Sequence, residues 1–259
     1  MPRSKRIISS EHPYHLTARC INRDWFKIPI GHVWKIFEDH LYAAHHFYDV
    51  RIHSFVLMEN HFHLLASFPK GNISEAMWYL MFETSRELTY ISKRINQTYG
   101  GPHHPSLIAT NEHFLNAYRY VYRNPVDAGV SKRVETYRYS TLHGLLGLSK
   151  LIIPVEPDPF LGNSTEETLN WLNTEYKSRE RLLVKSALRK PQFELGNNRS
   201  TRKPNAIAAD NNALLLPTGA AHLLVVNQNV RRARSWKPPE FSIETESALS
   251  SLIERPSMN

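Results

Sequence analysis

The chain has 259 residues, of which 41% are hydrophobic, enough to bury the core of one ordinary domain with an extension or of two small domains. Its formal net charge of +8 favours a polyanionic partner, because lysines and arginines near phosphates release condensed counterions. No run approaches the about 20 apolar residues of a membrane span, and no apolar leader opens the chain, so we expect no membrane partner. Cys20 is the one cysteine, which excludes an internal disulfide and a multi-cysteine zinc site and fits the cytoplasm.

Patterns in the first third of the chain predict two kinds of element in alternation. Tyr14–Cys20 alternates as a strand does, and Ile30–Tyr48 then carries apolar residues at helical spacing. Arg51–Leu57 and His61–Phe68 are two β-rich runs joined by a short turn, which predicts an antiparallel pair. The expected order up to this point is strand, helix, strand, strand.

A long amphipathic helix is predicted next. Asn72 and Glu75 form a capping pattern before apolar residues that recur at helical spacing as far as Ile95, and Gly100 with Gly101 closes the helix. An amphipathic helix of this length is typical of one that covers a sheet face.

The following segment completes the predicted domain. Ser106–Ala109 fits a short fourth strand, and Asn111 is a candidate N-cap for a helix that runs to Asn124, where Pro125 would stop it. The order β-α-β-β-α-β-α predicts an α+β fold in which helices pack on one ferredoxin-like antiparallel sheet.

The character of the chain changes beyond about residue 150. A linker rich in proline (Pro154, Pro157, Pro159) precedes Ser164 and Glu167, which cap one further predicted helix reaching about Leu188. We therefore divide the chain into a domain at 1–150, a helical extension at 151–190 and a basic, flexible tail at 191–259.

The tail combines a polar composition with two basic clusters. Such a composition is typical of a flexible nucleic-acid-binding arm and also of a solvated tail. The clusters are Arg199, Arg202 and Lys203, and then Arg231, Arg232, Arg234 and Lys237.

The sharpest local motif is His61-Phe62-His63. Because side chains alternate along a strand, the two imidazoles project from one face while Phe62 and Leu64 enter the core. Neutral imidazoles bind Mn²⁺, Zn²⁺ or Fe²⁺ well, and they accept Mg²⁺ when phosphate oxygens complete the shell. The motif alone fits equally two histidines that face solvent.

Four motifs in the same order resemble those of the HUH single-tyrosine transposases, especially the REP-associated tyrosine transposases. The second of them, Asn60-His61-Phe62-His63-Leu64-Leu65, is similar to that family's "Asn-His-Val-His-Leu-Leu". Together the motifs span about residues 12–147. They are Tyr14–Arg19 with Asn22-Arg23, Asn60–Leu65, Arg119–Val130 and Tyr137–Thr141.

Three tyrosines on the last predicted helix differ in the face they occupy. Tyr118 and Tyr122 are four residues apart on a core-like face, whereas Tyr120 shares a polar face with Asn116 and Asn124. The resemblance implies the same choice, with Tyr120 as nucleophile and Asn124 as a further metal ligand. The alternative, an exposed tyrosine beside an asparagine that ends a helix, stays open.

The resemblance implies a transposase-type endonuclease and strand transferase that acts on single-stranded or hairpin DNA through a 5′-phosphotyrosine intermediate. A divalent ion, Mg²⁺ or Mn²⁺, would be held by His61, His63 and Asn124. The expected location is the cytoplasm, in association with the nucleoid, and a homodimer is left open. Candidate DNA-binding side chains, each also explained as part of a solvated helix face, are Arg86, Lys93, Arg94, Lys132 and Arg133.

Two departures from the family pattern lie near the expected site. Glu59 replaces the usual proline and adds a carboxylate that could repel DNA or simply lie in the turn. Pro102 and His103 replace the usual arginine and tyrosine. The chain therefore lacks a guanidinium that can bind phosphate at position 102. If the tyrosine usual at position 103 were the nucleophile, the chain would lack the nucleophile as well. Two alternatives therefore accompany an active transposase: an impaired or domesticated member that binds hairpins without cleaving them, and an unrelated metal-dependent hydrolase.

Overall fold

The computed structural model describes residues 7–158, 160–161, 164–177 and 179–196, together with the backbone of 231–232. The strands are β1 (Ile7–Ile8), β2 (Tyr14–Arg19), β3 (Arg51–Met58), β4 (His61–Ser67), β5 (His104–Leu107) and β6 (Arg231–Arg232). The helices are α1 (Ile30–Tyr48), α2 (Ile73–Ser92), α3 (Asn111–Asp127), α4 (Thr141–Leu145), α5 (Thr165–Asn173) and α6 (Glu180–Ala187). No helix in these parts of the chain is both long enough and apolar enough to cross a membrane.

Most of the predicted basic tail lies outside the described residues. From residue 197 onward only the backbone of β6 is described, and it pairs with β1 as a separate two-stranded sheet. The side chains of both predicted basic clusters, and Pro159 of the predicted linker, are likewise outside, so the tail's role stays a prediction.

The main sheet has four antiparallel strands in the spatial order β3-β4-β2-β5. Helix α1 connects β2 to β3 and helix α2 connects β4 to β5, so the chain runs β-α-β-β-α-β with β2 and β4 in the centre. This is the ferredoxin-like arrangement, and it confirms the α+β fold predicted from the order of elements.

Helices cover both faces of this sheet. One face contributes alternate residues such as Leu16, Phe62 and Leu64 to a core shared with α1 and α2. The other face contributes Val56 and Leu65 to a second core, which is shared with α3, α5 and α6. The predicted burial of Phe62 and Leu64 is therefore confirmed, and the helical extension packs on the face opposite α1 and α2.

Helix α3 differs from its prediction at both ends. Thr110, not Asn111, is the N-cap, and its side chain accepts a hydrogen bond from the His113 amide at 3.2 Å. Pro125 does not stop the helix, which continues to Asp127. Proline removes one amide donor, and this close to the C-terminus the loss affects only the final turn.

Helix α2 is shorter than predicted. It ends at Ser92 because Lys93 adopts a left-handed conformation, and Ile95 beyond it is fully exposed instead of forming part of an apolar stripe. Asn72 occupies the N-cap position, but its side chain donates to the Tyr48 carbonyl at 2.9 Å and does not cap the helix.

The extension contains two helices where the sequence predicts one. Ser164 caps α5 as expected, accepting from the Glu167 amide at 3.3 Å. The break before α6 has a tertiary cause, because the Thr174 carbonyl accepts a hydrogen bond from Arg123 at 2.8 Å. The guanidinium of Arg119 lies over the Tyr176 ring, 4.5 Å from its centroid, and so holds the connection between α5 and α6 against α3.

Candidate active site

Strand register collects a set of polar side chains on the sheet face opposite α1 and α2. In an antiparallel sheet, directly paired residues point to the same side. Thr17 pairs with His63 in β4 and with His104 in β5, and Arg19 pairs with His61. The polar side chains that alternation and register place on this face include His15, Thr17, Arg19, His61, His63 and His104.

Three of these histidines form a linked group. The Nε2 atom of His15 lies 2.9 Å from Nδ1 of His63, and Nδ1 of His61 lies 2.7 Å from Oδ1 of Asn60. The ring centroids of His61 and His63 are 5.0 Å apart. In both histidines of the motif, the Nδ1 atom therefore forms a hydrogen bond within the protein. The Nε2 atom of His63 is buried and has no hydrogen-bond partner among the described residues.

The buried histidines are neutral at neutral pH. Burial lowers the pKa of His15 and of His61 to about 3, with the positive charges of His104 and Arg19 respectively as the next causes. Burial also places the pKa of His63 well below its usual value, and the neighbouring His61 and His15 add to the effect. A neutral imidazole has a free lone pair, which is the form that binds a metal ion.

Tyr120 reaches this histidine group from α3. The neighbouring tyrosines, Tyr118 and Tyr122, are buried in the second core, as predicted, and their packing fixes the helix. The Tyr120 ring stands edge-on to His63 with 5.5 Å between centroids, and edge-on to His15 at 6.0 Å. Burial raises the pKa of Tyr120, while a hydrogen bond with the Asn124 side chain opposes that shift.

His15 and His63 of this group line an open cavity of about 390 Å³, whereas His61 does not line it. Its walls come from β2, from the loop before β5, from Tyr120 of α3, and from the end of α6. The lining residues include the three cations Arg19, Lys185 and Arg189, and no aspartate or glutamate is among them. The cavity is therefore cationic, and Tyr120 lines it together with the neutral imidazoles of His15 and His63.

The donor set fits a metal ion only in part. His61 and His63 present neutral imidazoles whose Nδ1 atoms are already bonded, the arrangement that normally orients a ligating histidine. Within the described residues, however, no group of three His, Cys, Asp or Glu side chains is placed to hold a metal. The residues fit an ion that takes its remaining ligands from a carboxamide, water or substrate phosphate.

The five predicted DNA-binding side chains are not brought together at this cavity. Three of them have acidic partners: Arg86 pairs with Glu83 at 2.6 Å, Arg133 pairs with Glu135, and Arg94 pairs with Asp24 at 3.3 Å. The Arg94 side chain is only 3% exposed, so its role is structural. None of the five, which also include Lys93 and Lys132, lines the cavity.

The sequence analysis missed cavity residues in two places. His15, Thr17 and Arg19 alternate with apolar residues along β2, so the argument that singled out His61 and His63 would also have found them. Lys185 and Arg189 come from the extension, and no sequence signal placed that segment beside the domain.

The two departures from the family pattern have different positions. Glu59 lies in the turn between β3 and β4, where its carbonyl accepts from the Phe26 amide at 3.0 Å, and it does not line the cavity. Pro102 does line the cavity, whereas His103 is buried and is not among the lining residues. The loss of an arginine at position 102 therefore concerns the cavity directly.

Comparison with known families gives one match, over residues 8–104, to the family described as IS200-like transposase. Residues 8–104 resemble the IS200-like transposases. This confirms the resemblance seen in the motifs. The IS200-like segment contains His15, His61 and His63 and ends before α3, so Tyr120 and Asn124 lie outside it.

Two further comparisons accompany the IS200-like match. A solved structure of a REP-associated tyrosine transposase bound to a REP hairpin aligns with 60% of this chain and 92% of its own, at 19% identity and a TM-score of 0.48. No curated protein sequence matches the chain significantly.

Proposed function

We propose that this protein is a transposase-type endonuclease and strand transferase that acts on single-stranded, hairpin-containing DNA. The observation that supports this most directly is the position of Tyr120, edge-on to His63 in a cationic cavity beside the His61-Phe62-His63 motif. The IS200-like match over residues 8–104 favours this over an unrelated metal-dependent hydrolase.

Tyr120 is the proposed nucleophile. Its oxygen attacks the scissile phosphorus, a phosphorus–oxygen bond to tyrosine forms, and the bond to the 3′ oxygen breaks. The phenolic proton passes to an acceptor in the cavity, and the leaving 3′ oxygen takes up a proton. The products are a 5′-phosphotyrosine linkage and a free 3′-hydroxyl. Because the linkage conserves the energy of the phosphodiester, a second 3′-hydroxyl can reverse the step and join strands.

Burial makes the Tyr120 hydroxyl harder to deprotonate, so its reactivity depends on the groups around it. The raised pKa keeps Tyr120 protonated at neutral pH, so attack requires activation in the cavity. Asn124 holds the phenol by a hydrogen bond, and the packed Tyr118 and Tyr122 restrict the helix that carries it.

His61, His63 and the Asn124 carboxamide are the proposed ligands of Mg²⁺ or Mn²⁺. When bound, such an ion polarises the phosphate and offsets the charge that develops during in-line attack. The chain's own contribution is to keep the imidazoles neutral by burial and to fix the two rings through Asn60 and His15.

The direct test is formation of a covalent protein–DNA adduct. We expect wild-type protein with Mn²⁺ or Mg²⁺ to give a labelled adduct from a pool of oligonucleotides that carry a short hairpin and randomised single-stranded flanks. Tyr120→Phe should abolish the adduct and leave DNA affinity nearly unchanged, because only a hydroxyl is removed. Tyr122→Phe, which removes a buried hydroxyl from the same helix, should retain the adduct. An adduct that persists in Tyr120→Phe would exclude Tyr120 as the nucleophile.

An impaired or domesticated member that binds hairpins without cleaving them is the second candidate, and the position of Pro102 on the cavity wall favours it. In that case wild type binds the oligonucleotides but gives no adduct. Pro102→Arg would then restore adduct formation, because the added guanidinium can hold phosphate. Adduct formation by wild type at a rate that Pro102→Arg does not change would exclude this candidate.

A further inference from the structure

Three cations on the cavity wall have no counter-charge among the residues that the structure describes. Arg19 ends β2, Lys185 lies on α6, and Arg189 follows shortly after the end of that helix. All three side chains are exposed, and within the described residues none of them forms an ion pair. Two basic groups close to them in the chain differ in this respect, since Arg181 pairs with Asp127 and Lys190 with Glu194.

The cations act on one another and on the candidate catalytic groups. Burial lowers the pKa of Arg19, and the positive charges of Arg23 and Arg189 lower it further, while Tyr120 opposes the shift. The charge of Lys185 acts on both His61 and His63. With no acidic residue on the wall, an empty cavity concentrates like charge, and an anion would relieve that repulsion.

Packing of the extension against the second core fixes the backbone that carries Lys185 and Arg189. Val184, Ala187 and Leu188 are buried in the second core together with Tyr120. Arg181 ties α6 to the end of α3, with its Nε atom 3.1 Å from the Asp127 carboxylate and its Nη2 atom donating to the Asp127 carbonyl at 3.0 Å. Lys185 follows Arg181 four residues later on the same side of α6, and Arg189 comes just beyond the end of that helix.

We infer that Arg19, Lys185 and Arg189 form a clamp for the sugar–phosphate backbone of a single DNA strand that passes Tyr120. The helical extension is then part of the DNA-binding site and not an accessory to the fold. Cationic side chains of this kind bind phosphate without selecting a base, so the clamp supplies affinity and position but no sequence preference. The choice of DNA as the polyanion rests on the proposed function.

The test is the salt dependence of DNA binding in the Tyr120→Phe background, where no adduct can complicate the equilibrium. A fluorescent hairpin oligonucleotide with single-stranded flanks is the probe. Each lost phosphate contact should reduce the slope of log K against log[salt] by about 0.7, and the Lys185→Gln/Arg189→Gln double variant therefore by about 1.4. Arg19→Gln should reduce it by about 0.7. Lys185→Arg keeps the charge and should keep the slope.

Two exposed cations outside the cavity provide matched controls. Lys150→Gln and Arg138→Gln should leave the slope unchanged, because neither residue lines the cavity. Equal thermal unfolding midpoints would show that all variants are folded. An unchanged slope in the double variant, with wild-type affinity retained, would overturn the clamp. Adduct formation through Tyr120 in the otherwise wild-type chain would then still support the proposed function, so the two failures are distinguishable.

Discussion

The Nε2 atom of His15 lies 2.9 Å from Nδ1 of His63, and both rings are buried. Their strands are adjacent, and the rings stack with an interplanar angle of 26°. This bond fixes the orientation of the His63 ring, whose Nε2 atom has no hydrogen-bond partner among the described residues. His15 is therefore a positioning residue for the proposed metal ligand.

Replacing His15 should weaken metal binding more than it weakens the fold. We expect His15→Phe to raise the Mn²⁺ concentration for half-maximal adduct formation by about 10- to 100-fold, the usual effect of losing a partner of a metal-bound histidine. His15→Gln keeps an amide that can bond to Nδ1 of His63 and should recover part of the loss. His53→Phe, a change at another buried sheet histidine that does not line the cavity, should leave the Mn²⁺ requirement unchanged. Equal Mn²⁺ curves for His15→Phe and wild type would show that the bond has no role at the site.

Removing divalent ions with a chelator tests whether adduct formation requires a metal. Treatment with EDTA should abolish adduct formation by wild type, and added Mn²⁺ should restore it. His61→Ala and His63→Ala should stay inactive after Mn²⁺ is added, because each removes one ligand. His32→Ala changes an exposed histidine on α1 and should behave as wild type. Full adduct yield in EDTA would rule out a metal requirement.

The Asp127 carboxylate joins α3 to α6 and should be important for stability. Its Oδ1 atom accepts from Arg123 at 3.1 Å, both side chains are less than a tenth exposed, and Arg181 completes the group. Asp127→Asn should lower the free energy of unfolding by about 3 kcal/mol, because a buried guanidinium is left without its counter-charge. Urea denaturation measures this. Asp39→Asn removes the exposed pair with Lys35 and should cost less than about 1 kcal/mol. Similar losses for the two variants would mean that the Asp127 group is not buried in solution.

Acid should destabilise the fold partly through His53. Burial lowers the pKa of His53 to about 4 from its ordinary value of 6.5, and the charge of Arg51 contributes. Between those two values the unfolded chain binds a proton that the folded chain does not, so stability is lost as the pH falls through this window and is complete above it. His53→Gln cannot titrate, and we expect its free energy of unfolding to fall less steeply than that of wild type between about pH 6.5 and pH 4. Parallel profiles from urea denaturation across that range would contradict the prediction.

Much of the fold follows from local patterns, because most strands and helices of the β-α-β-β-α-β unit carry their own spacing of apolar residues. The alternation of β2 and β4 and the bounds of α1 are readable from the spacing of apolar residues. The errors lie at helix ends, where tertiary contacts decide the outcome, and in the bounds of β5, which runs over His104–Leu107 and not over the predicted Ser106–Ala109. The Thr174 carbonyl, for example, accepts a hydrogen bond from Arg123 of α3, and no sequence pattern near position 174 predicts this contact.

The candidate site was predictable only within single elements. His61 and His63 are two residues apart on one strand, and Tyr120 and Asn124 are four apart on one helix, so periodicity reaches both pairs. The hydrogen bond between His15 and His63 joins residues that are 48 positions apart and depends on the register between β2 and β4. The approach of Lys185 and Arg189 depends on how the extension folds back onto α3, which no local pattern specifies.

The residues that line the cavity are far apart along the chain, so they are synthesised at different times during translation. The histidines are synthesised early, Tyr120 later, and Arg189 only after most of the described residues. A nascent chain that ends at residue 104 contains the whole IS200-like segment but neither the tyrosine nor the two cations of the extension. Interrupted translation before residue 120 would therefore release fragments that contain the histidines but not Tyr120, and on the proposed function such fragments could form no adduct with DNA.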